Sequence, residues 1–339
     1  MKTVFEMIHN NHLLVFGAQN KKKEDQEIER VNIKPAKLVS SEGTINLTQL
    51  QSLGDYGINS TDWGNNNSNI LYIATESEVY YMDLSTGKLE NIPLSYLDDI
   101  HEITLINDEL WISNTGYNEV IALNIFSNEI KRINLFDILK RLAIHNKKEK
   151  LNDPNVINVE QVDKFHVNQI FKGFDNNKYA LVHHIDGKQI KRYYPDRVLK
   201  NQGNGGVINI DSGEAFDLKL YSPHTVTKVN NDYWVFDSAN FRINIYNKSW
   251  KLKNTINTVG YGRGATFIPK YNLFVAGISK SRKRYLKYFT SKISRGNCLE
   301  LFDTSTYSSL GVIELEDIEQ VSNVYHLSKN QYDKLKTLE

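Results

Sequence analysis

Leu110-Trp111-Ile112-Ser113-Asn114 is an unbroken apolar run that closes on small polar residues, and the pattern returns along the chain. Its other copies are Leu13-Leu14-Val15-Phe16-Gly17, Ile70-Leu71-Tyr72-Ile73-Ala74, Tyr179-Ala180-Leu181-Val182-His183, Tyr233-Trp234-Val235-Phe236-Asp237 and Leu273-Phe274-Val275-Ala276-Gly277. β-Branched and aromatic side chains suit a strand buried on both faces, so each copy reads as a central strand of a sheet. Their spacing of roughly 40 to 70 residues is the range in which internal repeats mean propeller blades or a solenoid.

The same elements recur around each central strand. A first strand precedes it, near 57–63, 99–106, 164–171, 222–229, 261–268 and 320–327. A third strand follows with its own turn signal, as in Val79-Tyr80-Tyr81-Met82-Asp83-Leu84-Ser85-Thr86-Gly87, in Leu299-Glu300-Leu301-Phe302-Asp303-Thr304-Ser305, and in Gly206 to Asp211-Ser212-Gly213. Asp bonds nearby backbone and Gly accepts positive φ, so an Asp with Ser or Thr and Gly behind it favours a tight hairpin. A more polar fourth strand comes next, such as Lys88 to Leu94. Four antiparallel strands with a polar outer edge make one blade.

The first strand at 320–327 is followed only by a polar, helix-like tail from Ser328 to Glu339, so its partners must be the N-terminal strands from Leu13 onward. The expectation is an all-β, six-bladed β-propeller over 1–339, a single domain with one blade closed by strands from both ends of the chain. Insertions are expected at 136–162, 186–204 and 280–297. The first carries Phe136, Ile138, Leu139 and Leu142 at a helix-like period. The second is a Gly- and Asn-containing loop. The third holds seven basic residues and no acid: Lys280, Arg282, Lys283, Arg284, Lys287, Lys292 and Arg295.

Of the 339 residues, 40% are hydrophobic and 24% charged, enough to build a core without forcing disorder. Lys and Arg number 41 against 40 Asp and Glu, a net charge of +1, which excludes a global field for nucleic acid or anionic membrane. The one cysteine, Cys298, can form no intrachain disulfide and fits a reducing compartment; without a nearby His it reads as buried. Glu6 and the following His9, Asn10, Asn11 and His12 interrupt a signal-peptide core, and no stretch reaches the roughly 18 apolar residues of a membrane span. The expected location is the cytoplasm.

Aligning the six first strands places His101, His166, His224, Arg263, Ile58 and Ser322 at one position, and Glu102, Val167, Thr225, Gly264, Asn59 and Asn323 at the next. First strands line a propeller's central channel, so equivalent residues converge near its axis. Three imidazoles from neighbouring strands could bind a divalent ion and leave positions open for water and substrate. That makes His101, His166 and His224 the candidate metal ligands. Glu102 is the candidate proton shuttle, and Arg263, between Gly262 and Gly264, could take a substrate carboxylate or phosphate in a fork. Asn168, Thr225, Asn59 and Arg282 are the expected substrate-binding residues for a small polar or anionic ligand. Two blander readings stay open: a metal-free polar ligand site, and polar residues that only hold channel water.

Other features carry less. Of the adjacent His183 and His184 at most one can face inward, which suggests a structural or rim role. Asp237-Ser238 and Asn114-Thr115, at similar places after central strands, read as strand caps or ties between blades. The basic insertion interleaves Tyr285, Tyr288 and Phe289, a pattern compatible with a phosphorylated ligand and less with nucleic acid, but one such loop on an otherwise neutral chain is more often a solvated surface. Gly203 to Gly206 lacks the following helix of a phosphate cradle. His9, His12, His145 and His326 show no pattern.

The ordered set His101-Glu102, Leu110-Trp111-Ile112-Ser113-Asn114-Thr115, Phe165-His166-Val167-Asn168, Gly205-Gly206-Val207-Ile208, Ser222-Pro223-His224-Thr225, Trp234-Val235-Phe236-Asp237-Ser238, Gly262-Arg263-Gly264 and Gly277-Ile278-Ser279-Lys280-Ser281-Arg282 resembles a bacterial family of six-bladed propellers known only as a domain of unknown function. The resemblance runs from about residue 99 to 282, and the first two blades match in pattern alone. It implies a propeller with a polar site near the axis and brings no activity with it. More distantly the chain looks like the strictosidine-synthase, gluconolactonase and streptogramin-lyase propellers, which place a ligand, and often a metal, at the channel mouth. The lactonase-like ones hold calcium through carboxylates and amides; histidines dominate here, which favours a transition metal over calcium. The expected activity is metal-dependent hydrolysis, elimination or isomerisation of a small polar or anionic metabolite, sugar or modified peptide. The competing expectation is a non-catalytic propeller that binds a partner protein or glycan.

Overall fold

The structure, a computed structural model, describes residues 8, 11–18, 36–50, 53–54, 57–64, 69–141, 163–187, 203–280, 295–316 and 318–337. Strands and helices are numbered in chain order. The first blade contains β1 (His12–Ala18), β2 (Ala36–Ser40), β3 (Gly43–Asn46) and the last strand, β24 (Gln320–Leu327). The second has β4 (Ser60–Trp63), β5 (Ile70–Ala74), β6 (Val79–Asp83) and β7 (Lys88–Ile92). The third has β8 (Ile100–Ile106), β9 (Glu109–Asn114), β10 (Glu119–Asn124) and β11 (Ile130–Asn134). The fourth has β12 (Val167–Lys172), β13 (Lys178–Val182), β14 (Gly205–Asn209) and β15 (Ala215–Leu220). The fifth has β16 (Pro223–Val229), β17 (Asp232–Asp237), β18 (Arg242–Asn247) and β19 (Leu252–Asn257). The sixth has β20 (Tyr261–Ile268), β21 (Leu273–Ser279), β22 (Cys298–Asp303) and β23 (Ser308–Glu314). These six four-stranded sheets are the blades of a six-bladed β-propeller.

Two compact units divide the chain: Ser95–Pro223 carries the third and fourth blades, and Met1–Leu94 with His224–Glu339 carries the other four. Within each unit the apolar second and third strands supply the layers between neighbouring sheets. Trp111, Val120, Phe165, Ile170, Val182 and Ile208 fill the layer between the third and fourth blades. Trp234, Phe236, Ile245, Phe274 and Phe302 do so between the fifth and sixth. Each such side chain contributes about 1.5–3 kcal/mol by leaving water. The outermost strands β11 and β19 are mostly exposed and β7 is half-buried with exposed Lys88 and Asn91, a polar edge that discourages pairing with another chain.

The turns after the third strands use one device. Asp83 Oδ1 accepts the Ser85 N–H at 2.8 Å, and Gly87 follows at φ 71°. Asp303 Oδ1 accepts the Ser305 N–H at 2.7 Å. In the fourth blade the device is Asn209 and not Asp211: Asn209 Oδ1 accepts the N–H groups of Asp211 and Ser212, both at 2.9 Å. Asp211 instead takes Lys178, accepting its N–H at 2.7 Å and pairing with its Nζ at 2.8 Å.

Closure by the chain ends is as expected. β1 lies between β2 and β24, with Leu13 opposite both Val39 and His326. A helix, α2 (Lys329–Lys336), follows, entered through a capping box of Ser328 and Gln331, and it buries Tyr332 and Leu335 with Leu47 and Leu50. Among the described residues one further α-helix, α1 (Leu135–Arg141), opens the 136–162 insertion; Leu142 lies outside the described residues, as do 188–202 and 281–294 of the other two insertions. Among the described residues no helix is long and apolar enough to cross a membrane.

Candidate metal centre

Four of the first strands, β8, β12, β20 and β24, carry an extra residue, whereas β4 pairs with β5 in unbroken register. In β8, Ile100 faces Asn114 and Ile103 faces Ile112, so His101 and Glu102 together face Ser113. The Ser113 hydroxyl fills this bulge, accepting the Glu102 N–H at 2.7 Å and donating to the Glu102 carbonyl at 2.8 Å. Similar bulges place an extra Asn168 in β12, Gly264 in β20 and Ser322 in β24. A bulge re-aims side chains and shifts the count by one. Arg263 faces Gly277, and the His166 carbonyl accepts the His183 N–H at 3.1 Å, so both match Ile100 and not His101. The common position expected for His101, His166, Arg263 and Ser322 is thus corrected: His101 and Ser322 stand one residue further along their strands.

The bulge nonetheless brings His101 to His166 within the unit Ser95–Pro223. Their ring centroids are 4.5 Å apart. One ligand atom from each of Asp99, His101 and His166 lies within 4.8 Å of the others, and His101 Nε2 is 3.6 Å from Asp99 Oδ2. Two ligands about 2.1 Å from a tetrahedral ion stand roughly 3.4 Å apart, so this donor set fits one divalent ion with small side-chain shifts. Asp99 and His166 hold positive φ values of 51° and 52°, sparsely populated backbone of the kind that clusters at functional sites.

The segment leading to His166 is clamped from the third blade. Asn118 Oδ1 accepts the N–H groups of Lys164 at 2.5 Å and Phe165 at 3.0 Å, and Phe165 is fully buried. Asp163, itself buried, accepts the His166 backbone N–H on Oδ1 at 2.7 Å, and its Oδ2 contacts His166 Nδ1. The His183 ring also lies 4.1 Å from that of His166, centroid to centroid. His184 turns to Asn204, with its Nδ1 2.8 Å from Oδ1, and burial is the first cause lowering its pKa. Glu102 Oε1 accepts from Gln169 Nε2 at 2.7 Å. Asp99 and Asp163 thus give this corner a negative lining suited to a cation.

The remaining expected residues that the structure describes each lie within one of the two units. Asn168 is buried and its amide donates to the Pro223 carbonyl, a structural tie. His224 belongs to the other unit, where its Nδ1 is 3.0 Å from Ser238 Oγ and its ring 5.3 Å from Tyr261. Ser238 spends its proton on the Gly262 carbonyl at 2.6 Å, so it accepts from His224. In that unit Arg263 donates to Gln320 Oε1 at 3.3 Å, Thr225 is buried at φ 37°, and the Asn59 N–H donates to the Ala74 carbonyl at 2.9 Å. Arg282 lies outside the described residues. Cys298 is buried, its thiol pushed up to about 12 chiefly by burial.

Asp99, Asp163 and Gln169 escaped the sequence reading. Asp99, two residues before His101, was the one available signal, since i and i+2 share one face of a strand; Asp163 and His166, at i and i+3, carry no such signal.

No protein-family model and no curated protein matches the sequence. Solved structures do. One, described as the nidogen/laminin complex, is 10% identical, covers 93% of this chain and 97% of its own, and has a TM-score of 0.57. A protein of unknown function from Bacteroides caccae is 11% identical over 94% of this chain and 100% of its own, also at 0.57. A luciferin-regenerating enzyme is 13% identical over 78% of each chain, at 0.51. At such identities the likeness is one of fold, and it agrees with the propeller resemblance read from the repeats.

Proposed function

We propose that Asp99, His101 and His166 hold one divalent metal ion, and that the protein is an enzyme acting on a small polar or anionic metabolite by hydrolysis, elimination or isomerisation. The observation that carries the reading is the meeting of these three donors in one corner, with the Asp163 carboxylate against His166 Nδ1. Two imidazoles and one carboxylate suit a first-row transition ion better than calcium, which prefers six to eight oxygens. Such an ion supplies Lewis acidity, polarising an oxygen bound to it and easing its deprotonation. Glu102 shares the β8 bulge with His101, and Gln169 holds its carboxylate, which positions it to take a proton.

Elemental analysis of tag-free protein tests this. About one divalent ion per chain is expected, with loss in both His101→Ala and His166→Ala. Substoichiometric metal that His166→Ala leaves unchanged would overturn the assignment. Turnover of a panel of lactones, esters and sugar phosphates should appear only after chelated protein is reloaded.

A further inference from the structure

We infer that Asp163 is the positioning residue of this centre: it holds His166 in the Nδ1–H tautomer, so that Nε2 presents a lone pair to the ion. The inference deepens the proposed metal centre and rests on it for its functional meaning. An ionised carboxylate only accepts hydrogen bonds, so the ring nitrogen it contacts must carry the proton. Asp163 cannot easily turn away, because its other oxygen is held by the His166 backbone N–H at 2.7 Å. The segment around it is fastened by Asn118 to Lys164 and Phe165 and by the buried Phe165 ring. The His183 ring packs on the imidazole at 4.1 Å between centroids, which limits rotation of the ring. A carboxylate behind a metal-bound histidine fixes tautomer and orientation and raises the basicity of the ligating nitrogen.

Asp163→Asn is the sharp variant. Its amide oxygen keeps the backbone hydrogen bond and its NH2 then faces Nδ1. That nitrogen must accept, and the proton moves to Nε2, where it blocks coordination. Long-range proton–nitrogen correlation spectra of ring-15N-histidine protein, free of metal at pH 8 and assigned with His166→Gln, read the tautomer directly. Wild type should show Nδ1–H and Asp163→Asn should show Nε2–H. Calorimetric titration with Zn2+ should give affinity 10–100-fold weaker in the variant, in line with the usual loss when such a partner is removed. An Nε2–H tautomer in wild type would overturn the inference, as would wild-type tautomer and affinity in Asp163→Asn. If the tautomers are as expected but wild type takes up no Zn2+, the positioning role stands and the metal centre falls. Should Asp163→Asn fail to fold, judged by near-ultraviolet circular dichroism, the wild-type tautomer alone decides.

Discussion

Gly264 is the extra residue of the β20 bulge, at φ 35°, and a Cβ there would stand 2.6 Å from the Asn323 Cα and 2.8 Å from the Ser322 carbonyl oxygen. Both neighbours are backbone, so neither can give way cheaply. Gly264→Ala should therefore cost about 2 kcal/mol or more. Gly87→Ala, at φ 71° with nothing within 4 Å, should cost only about 1 kcal/mol for the left-handed backbone. Urea denaturation of the two variants checks the contrast, and equal losses would mean that the close approach does not matter. At this scale sequence reading went partway. His101 and His166 were read as neighbours because aligning the first strands gave them one register, and their rings do meet, although a bulge and not a shared position brings them together. Asp163 was not legible, because its role depends on a turn at φ 20° just before β12, which no residue pattern announces.

The same tie appears after two central strands. Following β9, Thr115 Oγ1 donates to the Val167 carbonyl of the next blade at 2.5 Å; following β17, Ser238 Oγ donates to the Gly262 carbonyl at 2.6 Å. Each is fully buried, so removing the hydroxyl leaves a carbonyl without its partner in a place water does not reach. Thr115→Val and Ser238→Ala should each lower unfolding stability by about 1–3 kcal/mol. A loss below about 0.3 kcal/mol in both would show that relaxation or water replaces the tie. Elements were the most legible level: all six central strands, their outer partners and the role of Asn114-Thr115 and Asp237-Ser238 follow from apolar runs and polar stops. The bulges were not legible. An extra residue leaves alternation intact on either side and shows only in the pairing, which is why His101 seemed to share a position with His166.

At the scale of the whole molecule, closure depends on one seam. β24 supplies Val321, Val324 and Leu327 to the cores beside β1, and α2 rests against it with Tyr332 and Leu335. Two histidines flank this seam. His12, opposite Leu327, packs its ring 3.9 Å from Tyr332; burial is the first cause lowering its pKa and Lys329 the second, opposed by Asp333 and Glu42. His326, opposite Leu13 and more exposed, has its Nε2 2.9 Å from Asn11 Oδ1 and is lowered first by desolvation and then by His12. Both rings favour the neutral form in the fold, while in the unfolded chain they titrate near 6.5. Their contribution is therefore complete above pH ~6.5 and is lost as pH falls through the lower folded values, because the unfolded chain then binds more protons. Asp83 and Asp303, lowered by hydrogen bonds from Ser85 and Ser305, lose theirs only below pH ~4, and buried Glu300, raised, works in the opposite direction. The melting temperature should thus fall between pH 7.5 and 5.5, and His12→Gln/His326→Gln should reduce that fall by roughly 2 °C, small because a chain of this length has a large unfolding entropy. Parallel falls in wild type and variant would place the acid sensitivity away from the seam.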